Sequence, residues 1–251
     1  MKQHIYFPSS PYIATICELG LKNQRLITRS LDSCLIQQAK QRAHIDSHLA
    51  WLLRKAAQFD LVGQVAKGSA LLVGEGNLSF SLALTRKKRI DPSNLTATTY
   101  EKERDLSSEA AANAVKLKSL GVRLLYGLNS SQIGAVFSTR FNTVIFQFPH
   151  AGTREPIDGY NPNFILVRDF LKSASRVLVR DGCVLISAVD SPHYRGAFQF
   201  EKAAAQAGFA PPVAYPFDPA DFPGYNHTMT HQSGSALDHH DDFSTWVFRL
   251  K

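Results

Sequence analysis

Cysteine is scarce. The 251 residues hold three, Cys17, Cys34 and Cys183, odd in number, far apart and without a C-x-x-C pair. That argues against a disulfide framework or a zinc knuckle and suits a reducing compartment. Long apolar runs are missing too: no stretch approaches the roughly 18 uninterrupted apolar residues of a membrane span, and MKQHIYFPSSPYIATICELG lacks the apolar core of a signal peptide. Glycine (15) and proline (12) recur at no fixed period and charged residues make up 20%, so collagen-like, low-complexity and disordered readings fail. No internal repeat is visible. The expectation is a cytoplasmic protein without membrane association, and 44% hydrophobic residues suffice for one large core or two modest ones.

What is present is positive charge. Lys and Arg number 28 against 21 Asp and Glu, and the excess is uneven: +5 over residues 1–67, +5 over 68–210 and −3 over 211–251. A basic surface admits an anionic partner such as RNA, because phosphate contacts release counterions. From Glu18 to Phe59, Leu31, Leu35, Ala39, Ile45, Leu49, Leu52 and Leu53 recur at near-helical spacing, which predicts a helical hairpin. Its Lys22, Arg25, Arg29, Lys40, Arg42, Arg54 and Lys55 either line a nucleic-acid groove or are solvated helix faces.

From Lys67 onward short apolar runs alternate with helical stretches. Strands are expected at Ala70–Val73, Asn94–Tyr100, Arg123–Tyr126, Thr143–Phe148, Cys183–Val189 and Thr245–Leu250, and helices at Leu78–Lys88, Ser107–Leu120, Phe164–Val179 and Arg195–Ala207. This alternation predicts an α/β fold, a doubly wound Rossmann-like sheet over residues 67–251, preceded by a helical extension over 1–66. An antiparallel hairpin after Pro211 would close one sheet edge.

The densest local signal is Leu71-Leu72-Val73-Gly74-Glu75-Gly76-Asn77-Leu78-Ser79-Phe80, a buried strand feeding a G-x-G turn that opens a helix. Glycine there lets the backbone turn sharply and a ligand come close. Ser79 stands where dinucleotide enzymes carry a third glycine, and the Glu75 carboxylate would repel a pyrophosphate while attracting an ammonium group. S-adenosylmethionine carries such a group. Glu101, ending the second strand, is placed to accept ribose hydroxyls, and Asn129, after the third, to meet an adenine. The competing reading is a tight turn with no ligand and a solvated Glu101.

The stretches ALLVGEGNLSFSLALT (70–85) and VIFQFPHAG (144–152) resemble the Rossmann-like uridine-N3 methyltransferases of large-subunit (25S) ribosomal RNA. The resemblance extends from Lys67 to the C-terminus and takes in Pro192-His193-Tyr194 and Gly224-Tyr225-Asn226-His227. It implies an S-adenosylmethionine site built from Gly74, Glu75, Gly76, Asn77, Ser79, Phe80, Glu101 and Asn129, with Glu75 near the methionine end. Asn142, Gln147 and Asn77 stand where the family more often has Asp, Asn and Asp.

Gln147-Phe148-Pro149-His150 follows the fourth strand, where substrate meets cofactor in such folds. The expected roles are Gln147 pairing with the uracil edge, Phe148 stacking on a flipped base, Pro149 stiffening the turn and His150 accepting the N3 proton. Phe148 as core and His150 as a turn cap is the structural alternative. Arg168 and the run Arg86-Lys87-Lys88-Arg89 are candidate phosphate contacts, the run also fitting a solvated helix end. His227, His231, His239 and His240 with Asp238, Asp241 and Asp242 show no defined ligand spacing, and no metal is expected. The function anticipated is methylation of uridine N3 in ribosomal RNA. The alternatives are transfer to a small molecule or another nucleobase, or a non-catalytic RNA-binding protein with a vestigial cofactor fold.

Overall fold

A computed structural model describes residues 55–153, 155–190, 196–226 and 242–251. The chain divides into two compact units, Met1–Phe59 and Asp60–Lys251, and the second carries the sheet. The expected helical hairpin and most of the histidine-rich tail lie outside the described residues.

The second unit opens with helix α1 (Leu61–Val65), started by Asp60, whose carboxylate accepts from the Gly63 amide at 2.8 Å. Strands β1 (Ala70–Val73), β2 (Leu95–Thr98), β3 (Arg123–Leu125), β4 (Phe141–Gln147), β5 (Leu178–Val189), β6 (Val213–Phe217) and β7 (Phe243–Arg249) form one sheet in the order β3-β2-β1-β4-β5-β7-β6. The first five are parallel, and β7 is antiparallel to both β5 and β6. Every residue of β1 is buried, as a strand covered on both faces requires.

Helices α2 (Ser79–Thr85) and α3 (Ser108–Ser119) pack together, as do α4 (Ile133–Val136), α5 (Pro162–Ala174) and α6 (Phe200–Gln206) around α5. α3 begins at Ser107, whose hydroxyl accepts from the Ala110 amide, carries Glu109 in its first turn and Lys116 and Lys118 in its last, and stops before Gly121 at φ +88°. α5 begins with the Asn161 cap and Pro162 at its first position. Its Phe164, Val167, Phe170 and Leu171 join Val144, Phe146, Val184 and Ile186 in the main core.

The hairpin expected after Pro211 is present as β6 and β7 at the sheet edge. α1 and α4 are additional, and β5 starts at Leu178, before the Asp181-Gly182 pair, because Phe141 and Leu178 pair across a register shift next to Thr143. Cys183 is a buried free thiol on β5, pushed up to about 11 by burial.

Candidate active site

The sheet order reverses between β1 and β4, and in such folds ligands bind outside the carboxyl ends of the strands at that point. Register decides what meets there. Val73 pairs with Phe146, so Gly74 and Gln147 leave neighbouring strands side by side. The loops after β1, β2 and β3 are knitted together by main-chain bonds from Glu75 N to Thr98 O (2.9 Å), Leu128 N to Thr99 O (2.9 Å) and Gly127 N to Glu101 O (2.8 Å).

Gly74 sits at φ +65°, and a Cβ there would lie 2.8 Å from Cε2 of Phe146. Both conformation and space demand glycine, and Gly76 beyond it is exposed. β2 stops at Thr98, short of the expected Tyr100, so Glu101 is an exposed carboxylate in the loop after the strand, open to a ligand's hydroxyls. Asn129 is also exposed, but its Oδ1 accepts from the Ser131 amide and hydroxyl in an Asx turn, leaving Nδ2 for the adenine contact expected of it.

The remaining residues of the loop do other work than expected. Glu75 is 7% exposed; its Oε2 accepts from the Ser81 amide at 3.1 Å, while Oε1 has no partner among the described residues. Burial pushes its carboxyl up to about 7, against the lowering effect of the Ser81 hydrogen bonds. Asn77 and Ser79 turn to the chain's tail. Asn77 Nδ2 donates to Asn226 O at 2.6 Å, Ser79 Oγ donates to the same carbonyl at 2.9 Å, and Asn226 N donates back to Ser79 Oγ at 3.0 Å. Phe80 packs on Phe222 and Tyr225 with centroids 4.9 and 5.0 Å away. Asn77, Ser79 and Phe80, expected as direct cofactor ligands, are thus engaged by the chain's own tail and frame the loop, while Glu75 keeps one buried carboxylate oxygen without a partner among the described residues.

The run after α2 is likewise redirected. Arg86 donates to Pro223 O at 2.9 Å, Lys87 donates to Asp221 O, and Arg89 lies 3.6 Å from the Asp60 carboxylate. Phosphate contact is not the resting role of these three.

Across the crevice, Gln147 ends β4 with both amide atoms buried and without a partner among the described residues. A buried amide left unpaired costs about 1–3 kcal/mol, which makes Gln147 a candidate for pairing with a ligand or water at the switch point. Phe148 follows at φ +49°, where a non-glycine residue is strained. The stacking platform expected there is absent: the ring is 8% exposed and packs edge-on against Phe217 and Phe243, with centroids 6.0 and 5.6 Å away. Pro149 is buried beside it.

His150 is half-buried and its Nδ1 accepts from the Gly152 amide at 2.9 Å. A neutral imidazole in that role carries its proton on Nε2, with Nδ1 holding the turn. Sequence reasoning missed Asn163, fully buried in the first turn of α5. Its Oδ1 accepts from the Ala151 amide at 2.8 Å and holds the loop, while Nδ2 has no partner among the described residues. A polar residue directly after a helix's first proline was the signal available. Arg168, on α5, forms a two-pronged pair with Asp169 at 2.7 and 3.0 Å and lies over Phe164, so its charge is already matched. Among the described residues no group of His, Cys, Asp and Glu is arranged to hold a metal, and no helix is long and apolar enough to cross a membrane.

A mostly parallel sheet with a glycine turn at its switch point, a carboxylate in the loop after the second strand and an antiparallel β7 inserted between β5 and β6 defines a Rossmann-like methyltransferase fold. The chain belongs, more particularly, to the BMT5-like family, "rRNA (uridine-N3-)-methyltransferase BTM5-like", whose profile matches residues 71–229. It is 30% identical over 174 residues to human ferredoxin-fold anticodon-binding domain-containing protein 1, covering 63% of this chain and 27% of that protein. It is 33% identical over 131 residues to the Arabidopsis thaliana protein At4g26485, covering 47% of this chain and 61% of that one. The chain therefore spans about a quarter to three fifths of the length of these relatives. Among solved structures, TrmN from Thermus thermophilus is similar over 80% of this chain and 48% of its own, with 16% identity and a TM-score of 0.45.

Proposed function

We propose that this protein is an S-adenosylmethionine-dependent methyltransferase acting on N3 of a uridine in ribosomal RNA, in the cytoplasm. The observation that carries the reading, beside the family match, is the Gln147 amide, unpartnered at the switch point next to Gly74. Uracil presents an N3–H between two carbonyls, and an amide that both donates and accepts matches part of that edge.

The residues fit the cofactor: the turn exposes Gly76, where main chain without a Cβ can be approached, and Glu101 offers an exposed carboxylate. When bound, S-adenosylmethionine supplies an electrophilic methyl group. The chain's own contribution is alignment. Gly74 and Gly76 admit the ligand to the main chain, Glu101 accepts from the ribose hydroxyls, and Gln147 sets the angle of the base. His150, in the turn that follows Gln147, takes the N3 proton directly or through water. The basic residues of 1–54, outside the described residues, are the proposed contact with the rest of the RNA.

Mass-spectrometric nucleoside analysis of ribosomal RNA from cells with and without the gene tests the reading. N3-methyluridine should be lost from one position without the gene and restored by wild-type protein but not by the Gln147→Ala variant. An unchanged modification profile overturns it.

A further inference from the structure

The residues Phe222 to Asn226 lie almost 150 positions after the glycine loop, yet they are bound to it and its helix at both ends. At one end the Asn226 peptide is held by Asn77 and Ser79; at the other, Arg86 and Lys87 donate to the carbonyls of Pro223 and Asp221. Between them Phe80 packs against Phe222 and Tyr225, and the Lys87 ammonium lies 5.1 Å from the Phe222 ring. Gly224 is at φ +86°, and a Cβ there would come within 2.4 Å of Arg86. The turn is therefore shaped to this partner.

What the strap holds is strained. Leu78 takes φ +61° as the residue before α2, without a side-chain cap of its own. The loop carries it because Asn77 is tied on three sides: Nδ2 to Asn226 O, Oδ1 to Ser79 N at 3.1 Å, and its carbonyl to Asn113 Nδ2 at 2.9 Å. Two of those ties stay within the first half of the sheet. The third reaches Asn226, the turn that follows β6.

We propose that the Phe222–Asn226 turn is a strap that sets the shape of the Gly74–Leu78 loop, and that Asn77 and Ser79 are positioning residues acting on cofactor affinity through it. This rests on the cofactor reading above. The loop is pre-formed only while the strap is seated, so releasing the strap adds an ordering cost to cofactor binding. The strap grips Asn226 by its main chain, so the peptide group matters and the side chain does not.

The test compares the double variant Asn77→Ala/Ser79→Ala with Asn226→Pro, which deletes the donated N–H, and with the conservative Asn226→Ala, which keeps it. Affinity for S-adenosylhomocysteine is read by calorimetry and amide hydrogen exchange is followed over 74–78 and 221–226. The double variant and Asn226→Pro should bind at least tenfold more weakly, exchange faster in both segments, and keep kcat at saturating S-adenosylmethionine within threefold. Asn226→Ala should restore wild-type affinity. Should the double variant fail to fold, Arg86→Met loosens the other end from the surface and should weaken binding severalfold. Unchanged affinity in a folded variant whose strap amides have lost protection overturns the proposal. If wild-type protein binds no S-adenosylhomocysteine, the cofactor reading fails instead, and the strap is judged by whether exchange over 74–78 follows its release.

Discussion

The loop after β1 and the loop after β4 lie side by side at the same switch point, yet they treat polar side chains in opposite ways. In the first, Asn77, Ser79 and Phe80 are spent on the tail, and the glycine turn with one Glu75 carboxylate oxygen is what remains. In the second, Asn163 and the His150–Gly152 bond fix the turn from within, and Gln147 is left with an unpaired amide. Satisfied groups shape the site, and an unpaired buried amide such as that of Gln147 is the place to look for a ligand.

The sharpest way to break this contrast is at Gly74. Gly74→Ala combines a left-handed conformation with a Cβ 2.8 Å from Phe146, so it should cost more than about 1 kcal/mol of stability and abolish S-adenosylhomocysteine binding in calorimetry. Near-normal binding would show that the loop does not depend on its glycine.

Gln147→Leu should cut methyl transfer to RNA about 100-fold, the value of roughly 2.7 kcal/mol of lost alignment, with S-adenosylhomocysteine affinity unchanged. The same variant should melt no lower than wild type and be more stable by about 1 kcal/mol, since an unpaired buried amide is replaced by an apolar group. A loss of stability would mean that the amide is structural.

Glu75 tests the first loop through pH. Its carboxyl is held at about 7 by burial against an ordinary 4.5, so the folded state binds the proton more tightly than the unfolded one. The sign follows: this contribution is full below about pH 4.5, declines as pH rises to about 7 and is then lost, a change of about 3 kcal/mol. Urea titrations at pH 5 and 7.5 should show that fall in wild type and its absence in Glu75→Gln.

The smallest effect is expected at Arg168, whose guanidinium is paired with Asp169. Arg168→Ala should raise the KM for RNA by less than about threefold and leave the slope of the salt dependence nearly unchanged, since loss of a true phosphate contact would remove about one unit from it.

Much of the fold was legible. Ala70–Val73 is continuously apolar and abuts a G-x-G turn, and Ser107 with Glu109 announces the start of α3, because both signals are local. The strand after Pro211 was legible as half of a hairpin, though not as the insertion of β7 between β5 and β6, which depends on pairing across the sheet. Near the switch point, Gly74 directly after β1 and Gln147 at the end of β4 were legible from their places along the chain, whereas β2 stops before Glu101. Phe148 was misread because its fate depends on Phe217 and Phe243, about 70 and 95 residues away, and Asn163 was missed because only the folded loop brings Ala151 to it.

By itself, then, the sequence determined the strand ends, the glycine turn and the family, since these rest on residues adjacent in the chain. The tertiary structure alone decided which polar groups are consumed and which are kept. Asn77 and Ser79 carry the same hydrogen-bonding chemistry whether they face a cofactor or Asn226, and only the approach of the tail, 147 to 149 residues further on, settles which they meet.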